Sequence, residues 1–247
     1  MNAATTPPPA APTPPSVRPY PVRLEAQPPE GLSPGLWLVK WLLLIPHVIV
    51  LMVLWLGYAV LWVVALFAVV ITGRFPRGIF EYQVGVLRWT WRVSYYGYSA
   101  LGTDTYPPFT LAEVPDYPTT LSVEYPGRLS RGRALVKWWL LAIPHYIVVG
   151  LLTGPQMQWR DGDGMVRYST HIGLIGILVL VVGFTLLFVG RYPRGLHDLL
   201  MGLNRWAYRV GVYVSLMTDQ YPPFRLDMGA KEPGLPSGNP AEGGGAV

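Results

Sequence analysis

Two histidines occupy equivalent places in two apolar segments, and each one follows a proline, in Ile45-Pro-His47 and Ile143-Pro-His145. Because haem iron accepts histidine as an axial ligand, one chemistry open to this pair is a haem held between the two segments for electron transfer. The other interpretation is a buried imidazole that bonds backbone groups left unpaired by the proline. We favour this second interpretation and expect no cofactor, with haem binding through His47 and His145 as an alternative.

A second group of candidates consists of basic residues at the ends of apolar segments and on the segments that follow them. Long Lys and Arg side chains in such places reach the lipid headgroups, and an arginine just after a helix also faces the negative end of the helix dipole. We expect this group to contact lipid, chiefly anionic lipid. Its members are Lys40, Arg74, Arg77, Arg88, Arg92, Lys137, Arg191, Arg194, Arg205 and Arg209.

Motifs of common enzymes are absent from the sequence. The chain has no cysteine, which excludes thiolate nucleophiles, iron–sulfur clusters and cysteine zinc sites. It also has no Walker loop, no Gly-x-Ser-x-Gly and no His-Glu-x-x-His. We therefore expect that the protein is not an enzyme and that it has no catalytic residue and no metal site. Nucleic acid is not an expected partner, because the basic residues follow the boundaries of the apolar segments and form no separate patch.

The apolar segments that carry these residues predict a membrane protein. Charged residues make up 13% of the 247 residues, about half of the share found in soluble domains. Residues 41–73 carry no charge and exceed the roughly 20 residues of one spanning helix. We expect two helices there, joined by a tight turn near Gly57. Two further uncharged runs, 138–159 and 168–190, bring the predicted crossings to four.

The chain is a tandem duplication, with the second copy 19 residues longer between its two apolar runs. The matching blocks are 38–41 with 135–138, 45–47 with 143–145, 73–78 with 190–195, 88–93 with 205–210, and 106–109 with 221–224. Because unpaired backbone in hydrocarbon is costly, we expect the extra residues at a membrane surface. This favours helical hairpins, with helices at 36–54 and 55–72 in the first copy and at 134–152 and 171–189 in the second.

The predicted fold class is an all-α membrane protein with two tandem transmembrane helical hairpins, each followed by an amphipathic helix in the membrane interface. Short cytoplasmic strands are expected at 21–25 and 119–124, with 109–111 and 224–226 as possible partners. The predicted parts are a Pro-rich tail 1–19, a first repeat 20–112 with hairpin 36–72 and amphipathic helix 79–101, a second repeat 113–228 with hairpin 134–189, external loop 153–170 and amphipathic helix 196–216, and a tail 229–247.

Charge predicts the orientation of these hairpins. Of the 19 Lys and Arg residues, only Arg160 and Arg167 fall on the side of the hairpin turns. The excess of positive charge on the cytoplasmic side of membrane proteins then places both termini in the cytoplasm. We expect a multi-pass protein of the bacterial cytoplasmic (inner) membrane, whose two repeats share one orientation.

The repeated blocks Leu-Val-Lys-Trp, Ile-Pro-His, Gly-Arg-(Phe/Tyr)-Pro-Arg-Gly and Tyr-Pro-Pro-Phe resemble an uncharacterised family of bacterial membrane proteins. The family is of the actinobacterial type, and it is a domain of unknown function that often occurs in tandem. The resemblance extends over about residues 20–226. It implies an integral inner-membrane protein and carries over no catalytic residue.

The function expected from these features is that of a non-enzymatic scaffold or accessory subunit. Its basic, aromatic cytoplasmic face would bind anionic lipid and a partner membrane protein. One alternative is a small transporter or channel with its path between the two parallel repeats. The other is haem-based electron transfer through His47 and His145.

Overall fold

The computed structural model describes residues 20–154 and 172–232, and the backbone of residues 156–160 and 166–170. The predicted tail 1–19 lies outside these residues, as does most of the predicted tail 229–247. The elements in chain order are β1 (Val22–Ala26), α1 (Trp37–Leu43), α2 (Ile45–Thr72), α3 (Arg77–Tyr96), β2 (Thr119–Val123), α4 (Arg131–Val136), a π-helical segment (Lys137–Leu141), α5 (Ile143–Thr153), β3 (Gln156–Arg160), β4 (Val166–Thr170), α6 (Leu174–Val189) and α7 (Arg194–Val214).

The predicted hairpin 36–72 is wrong, because most of its residues form the single helix α2 of 28 residues. The chain breaks earlier, at Leu44, where Pro46 in the first turn of α2 loses no helical hydrogen bond. Gly73 ends the helix in the left-handed conformation, with φ of 71°. Gly57 serves close packing instead of a turn, since a Cβ there would lie 2.7 Å from the Tyr82 hydroxyl of α3.

The described residues contain fewer helices that could span a membrane than the predicted four crossings require. Within the described residues, α2 is the one helix long and apolar enough to cross a bilayer alone. A second candidate consists of residues 131–141 and 143–153, two helical parts bent by 47° at Ala142. The four predicted crossings are therefore not confirmed.

In the second repeat, α5 and α6 together occupy the place that α2 has in the first. The extra residues form β3 and β4, an antiparallel pair with Gln156 opposite Thr170. The chain leaves the helix at Gly154 and returns at Gly173, where a Cβ would lie 2.2 Å from the Gly154 nitrogen. The predicted loop 153–170 thus contains two antiparallel strands placed between two helices, and these strands satisfy their backbone groups by pairing with each other.

The π-helical segment has a cause in the sequence. The distance between equivalent residues of the two repeats is 97 at Lys40 and Lys137 but 98 at His47 and His145. One extra residue in the second repeat therefore falls between these points, within or directly after Lys137–Leu141. A π-helical turn is the way a helix takes up one added residue without ending.

The two repeats are related by a pseudo-twofold axis through a two-stranded sheet. β1 and β2 pair antiparallel, with Leu24 opposite its own repeat equivalent, Leu121. The strands predicted at 21–25 and 119–124 are therefore confirmed, with each of the four ends placed within one residue. The predicted partners, 109–111 and 224–226, are wrong, because each strand finds its partner in the other repeat.

α3 and α7 are largely buried core helices, whereas the predicted amphipathic helices 79–101 and 196–216 would have one apolar side on the protein surface. Of the 20 residues of α3, 13 are buried. α3 packs against α2 and β2, whereas α7 packs against β1 and the second repeat. Their polar stripes face inward because backbone carbonyls and carboxylates there accept hydrogen bonds from the arginines.

The continuity of α2 predicts long distances between spin labels attached to it. Cysteines in place of Val48 and Ile71, which are both exposed, should lie about 35 Å apart at 1.5 Å per residue. Cysteines in place of Val48 and Val60 should lie about 18 Å apart. Pulsed electron–electron double resonance measures both distances. The labels attach only at the introduced positions, because the chain has no cysteine of its own.

A hairpin with its turn near Gly57 would place both label pairs within about 20 Å, since packed helices lie about 10 Å apart. A short distance for the Val48 and Ile71 pair would therefore contradict the continuous helix.

Candidate functional site

Lys40 forms an ion pair inside the protein, in contrast to the predicted contact with lipid. Its side chain is 2% exposed, and its Nζ lies 2.8 Å from a carboxylate oxygen of Asp104. Nζ also donates to the Thr103 carbonyl at 2.6 Å. The second Asp104 oxygen accepts the backbone N–H of Ser33 at 2.7 Å. This cluster, which we call the first latch, holds the start of α1 against the loop after α3.

The second repeat contains the same latch. Lys137 is fully buried and lies 3.0 Å from an Asp219 oxygen. It donates to the Thr218 carbonyl at 2.8 Å, and Ser130 N–H donates to the second Asp219 oxygen at 2.6 Å. Sequence comparison pairs the two lysines, but neither aspartate can be assigned to its lysine without the fold.

The first latch also sets the charge state of Asp104. Burial alone would raise the pKa of this carboxyl group, but the hydrogen bonds from Lys40 and Ser33 and the charge of Lys40 outweigh burial. The pKa of Asp104 therefore lies below its ordinary value, and its carboxylate is charged throughout the neutral range.

Replacing Asp104 by Asn should destabilise the protein, because burial lowers the pKa of Lys40 and disfavours its charge, and the hydrogen bond and charge of Asp104 that offset burial would be lost. We expect a loss of about 3 kcal/mol, the usual cost of breaking a buried pair by removing one partner. Asp219→Asn should behave alike. Thermal unfolding in detergent micelles measures the change.

Asp116→Asn is the matched control, because Asp116 is exposed and its change should cost less than about 0.5 kcal/mol. Equal midpoints for Asp104→Asn and Asp116→Asn would show that the latch contributes nothing.

His47 and His145 lie in separate aromatic clusters of the same design. His47 Nδ1 accepts the indole N–H of Trp89 at 3.1 Å, and its ring stacks on Phe109 at 3.9 Å between centroids. His145 Nδ1 accepts the indole N–H of Trp206 at 3.2 Å and stacks on Phe224 at 4.4 Å. The repeated Tyr-Pro-Pro-Phe block therefore has a structural task, which is to cover the histidine.

This arrangement opposes the haem alternative. Because Trp89 and Trp206 only donate, Nδ1 of each histidine uses its lone pair as acceptor and the neutral ring carries its proton on Nε2. Neither nitrogen then has a lone pair free for iron. Both Nε2 atoms are buried and have no hydrogen-bond partner among the described residues. The two rings contact different aromatic residues and face no shared site in the described structure.

Four more of the predicted lipid contacts point into the protein. Arg88 donates from Nε to the Leu121 carbonyl of β2 at 2.9 Å, and Arg92 donates to the Ala112 carbonyl at 2.9 Å. In the second repeat, Arg205 donates from Nε to the Leu24 carbonyl of β1 at 2.8 Å. Each helix thus binds a strand of the opposite repeat.

The fourth of these arginines, Arg209, is also buried and holds the last described residues. It pairs with Asp227 at 2.7 Å and with Glu232, which also lies 3.1 Å from Arg205. Glu232 is 5% exposed. The predicted tail 229–247 therefore begins too early, because residues 229–232 are part of the packed structure.

The arginines of the repeated Gly-Arg-(Phe/Tyr)-Pro-Arg-Gly block are the predicted lipid contacts that stay on the surface. Arg74 and Arg77 lie between the end of α2 and the start of α3, and both are exposed. Arg191 and Arg194 occupy the same places after α6 and are exposed as well. These four residues form the remaining candidate for lipid binding.

A polar group that the sequence did not single out lies around His197, in the first turn of α7. The Tyr95 hydroxyl donates to the Gln27 carbonyl at 2.7 Å and lies 3.1 Å from His197 Nε2. Nε2 must therefore carry the proton and donate to Tyr95. The equivalent residue in the first repeat is Phe80, so a comparison of mismatched positions could have found the site.

His197 is 1% exposed, and burial lowers its pKa, although Asp198 at 3.6 Å opposes the shift. The imidazole is thus neutral at neutral pH. Because the unfolded chain takes up a proton at higher pH than the folded chain does, stability must fall as the pH drops below about 6.5.

We expect the thermal midpoint of the wild-type protein to fall more between pH 7 and pH 5 than that of His197→Phe, which places the residue of the first repeat at this position. The measurement is thermal unfolding at several pH values in that interval. Parallel curves for the two proteins would contradict a neutral, buried His197.

Comparison with known families adds one finding. Residues 35–110 and 164–225 match a family model described as "Domain of unknown function (DUF4389)", and the two segments include more than half of the chain. The first segment contains α1 to α3, and the second contains α6 and α7. The match confirms the resemblance to a repeated domain of unknown function. No curated protein and no solved structure matches the chain.

Proposed function

Because the chain belongs to the family described as a domain of unknown function, DUF4389, its own geometry must suggest its role, and we propose that it is an integral membrane scaffold. It would lie in the bacterial cytoplasmic membrane as a multi-pass protein with both termini in the cytoplasm. In this role it binds anionic lipid and supports a partner membrane protein as a non-enzymatic accessory subunit.

The surface of α2 carries the proposal. In its most apolar stretch of 18 residues, only 17% of the residues are buried. Met52, Leu56, Phe67 and Ile71 are each more than 60% exposed. Continuous apolar surface of this extent is rare on soluble monomers. At about 42 Å, the helix is longer than the roughly 30 Å hydrocarbon core. A bilayer is the surrounding that removes this surface from water along its whole length.

The second repeat adds to this apolar surface. Ile147, Leu151, Ile177 and Phe188 on α5 and α6 are each at least 50% exposed. In the proposal, these helices share the membrane with α2, and the bend at Ala142 lets the shorter parts fit beside it.

The exposed arginines supply the lipid preference. Arg74 and Arg77 follow the C-terminal end of α2, and Arg191 and Arg194 follow that of α6, where the helix dipole is negative and a cation is stabilised. Anionic headgroups attract such residues by about 1 kcal/mol each. In contrast to the other six predicted contacts, these four residues lie on the protein surface, where the proposal has them meet anionic headgroups.

We expect Arg74→Gln with Arg77→Gln to lower the ratio of phosphatidylglycerol to phosphatidylcholine that co-purifies with the protein from mixed bilayers. Two lost attractions of about 1 kcal/mol each predict a decrease of about thirtyfold at the lipid site that the pair holds, since 1.4 kcal/mol is a factor of ten. Arg191→Gln with Arg194→Gln should act alike. Lipid extraction and quantification of the purified protein measure the ratio.

Arg23→Gln with Lys231→Gln is the matched control, because both residues are exposed and removing them changes the net charge equally. If all three double variants retained the same lipid ratio, lipid binding by the arginine pairs would be refuted. Solute flux through proteoliposomes would favour the transporter alternative over the scaffold.

A further inference from the structure

The pseudo-twofold axis relates Tyr125 to Pro28, and this exchange leaves a space in one half of the molecule. Matching features on both sides of this position fix the alignment of the repeats. Leu24 and Leu121 are opposite each other in the sheet, and the backbone N–H groups of Ser33 and Ser130 donate to the equivalent carboxylates of Asp104 and Asp219. The spacing between the repeats is 97 residues for the leucines, for the serines, and for Pro28 and Tyr125. Tyr125 and Pro28 are therefore structural equivalents.

In the first half, the phenol ring of Tyr125 fills a site built by the Gly-Arg-Phe-Pro-Arg-Gly block. Its hydroxyl donates to the Phe75 carbonyl. Its ring meets the edge of Phe80 at 5.0 Å and 84°. The Arg77 guanidinium lies over its face at 4.8 Å from the ring centroid. Cation–π contact, an aromatic edge and a carbonyl acceptor together define a receptor for a phenol.

In the second half, the ring is absent and the site is an open cavity of about 360 Å³. Its walls are formed by Pro28, Glu30, Tyr192, Arg194, His197 and Asp198. Tyr192, Arg194 and His197 are the equivalents of Phe75, Arg77 and Phe80. The cavity is within the range of volumes, about 300–1,000 Å³, that small-molecule sites have.

The chain does not close this cavity as it closes the first. Leu129 N–H donates to the Gly73 carbonyl at 3.0 Å and holds the Tyr125 segment in place. Among the described residues, no equivalent backbone bond joins Leu32 to Gly190. The strand-to-helix segment that contains Pro28 therefore leaves the cavity open.

The walls of the cavity are more polar than those of the filled site, and they are acidic. Glu30 and Asp198 contribute two carboxylates to the walls, and Arg194 contributes one guanidinium. His197, which is neutral at neutral pH, replaces an apolar phenylalanine at the edge of the ring position. These charges favour a neutral or cationic ligand and oppose an anionic one.

We propose that the cavity beside His197 binds a small phenol, neutral or cationic, whose ring takes the place that Tyr125 has in the other half. The ring lies under Arg194, its hydroxyl donates to the Tyr192 carbonyl, and a cationic substituent faces Glu30 and Asp198. The proposal does not depend on the scaffold role or on lipid binding.

The test uses tyramine as the probe and isothermal titration calorimetry of the full-length protein in detergent. Tyramine should bind at one site per chain. Phenethylamine, which lacks the hydroxyl, and 4-hydroxyphenylacetate, which is anionic, should each bind at least tenfold more weakly. No heat of binding with millimolar tyramine would overturn the proposal, as would equal affinity for the three probes, which indicates partition into detergent.

Pro28→Tyr fills the cavity with the chain's own ring and should abolish tyramine binding while raising the thermal midpoint. Tyr125→Pro removes the ring from the equivalent site in the first half and should leave tyramine binding at the cavity beside His197 unchanged. If Pro28→Tyr does not fold, Glu30→Gln serves instead, because removal of a carboxylate that faces the cationic substituent should weaken tyramine binding at least threefold. Unchanged affinity in the folded variant tested would overturn the proposal.

Discussion

The combination of the two repeats depends on two guanidinium groups that cross the pseudo-twofold axis. Arg88 of α3 binds the carbonyl of Leu121, and Arg205 of α7 binds the carbonyl of Leu24. A guanidinium group keeps its charge at every physiological pH; that of Arg205 is fully buried and that of Arg88 is about one-quarter exposed, and both find acceptors inside the protein. The carbonyls that they find belong to the opposite repeat, so each half completes the hydrogen bonding of the other.

The same exchange extends to the first helix of each repeat. Trp37 of α1 lies against Gly183 of α6, where a Cβ would be 3.1 Å from the indole ring. On the other side, α4 of the second repeat packs against α2 of the first, with Ala134, the equivalent of Trp37, fully buried. A large residue meets a glycine on one side, and a small residue serves on the other. Packing at the two interfaces is thus complementary in different ways.

Sequence patterns predicted those features that local chemistry determines. The strands, the ends of α2 and α6, and the duplication itself follow from alternation, from the limits of the uncharged runs and from block spacing. The prediction of a hairpin near Gly57 was wrong because the uncharged run 41–73 was interpreted as too long for one helix. A glycine in a helix can equally mark a close contact, here with Tyr82.

The site was harder to predict because its partners are distant in sequence. In the first latch, Lys40 is 63 residues from Thr103, whose carbonyl accepts its hydrogen bond, and Asp104 is 71 residues from Ser33, whose N–H donates to it. A basic residue near the end of an apolar helix has the same local pattern whether it reaches lipid or an internal carboxylate. Burial therefore divided the ten predicted contacts into four that are exposed and six that bind the protein itself. His197 escaped notice because a comparison of repeats seeks identities, and its meaning lies in a difference.

The exchanged strands have a consequence for how such a chain can arise and change. A chain with one repeat would leave its arginine without an acceptor and its strand without a partner, so it could complete itself only by associating with a second copy. Fusing the two copies replaces an equilibrium that varies with protein concentration by a fixed intramolecular one. It also frees each half from the identity that a symmetric homodimer imposes, which is the condition under which Tyr125 on one side and Pro28 on the other can coexist.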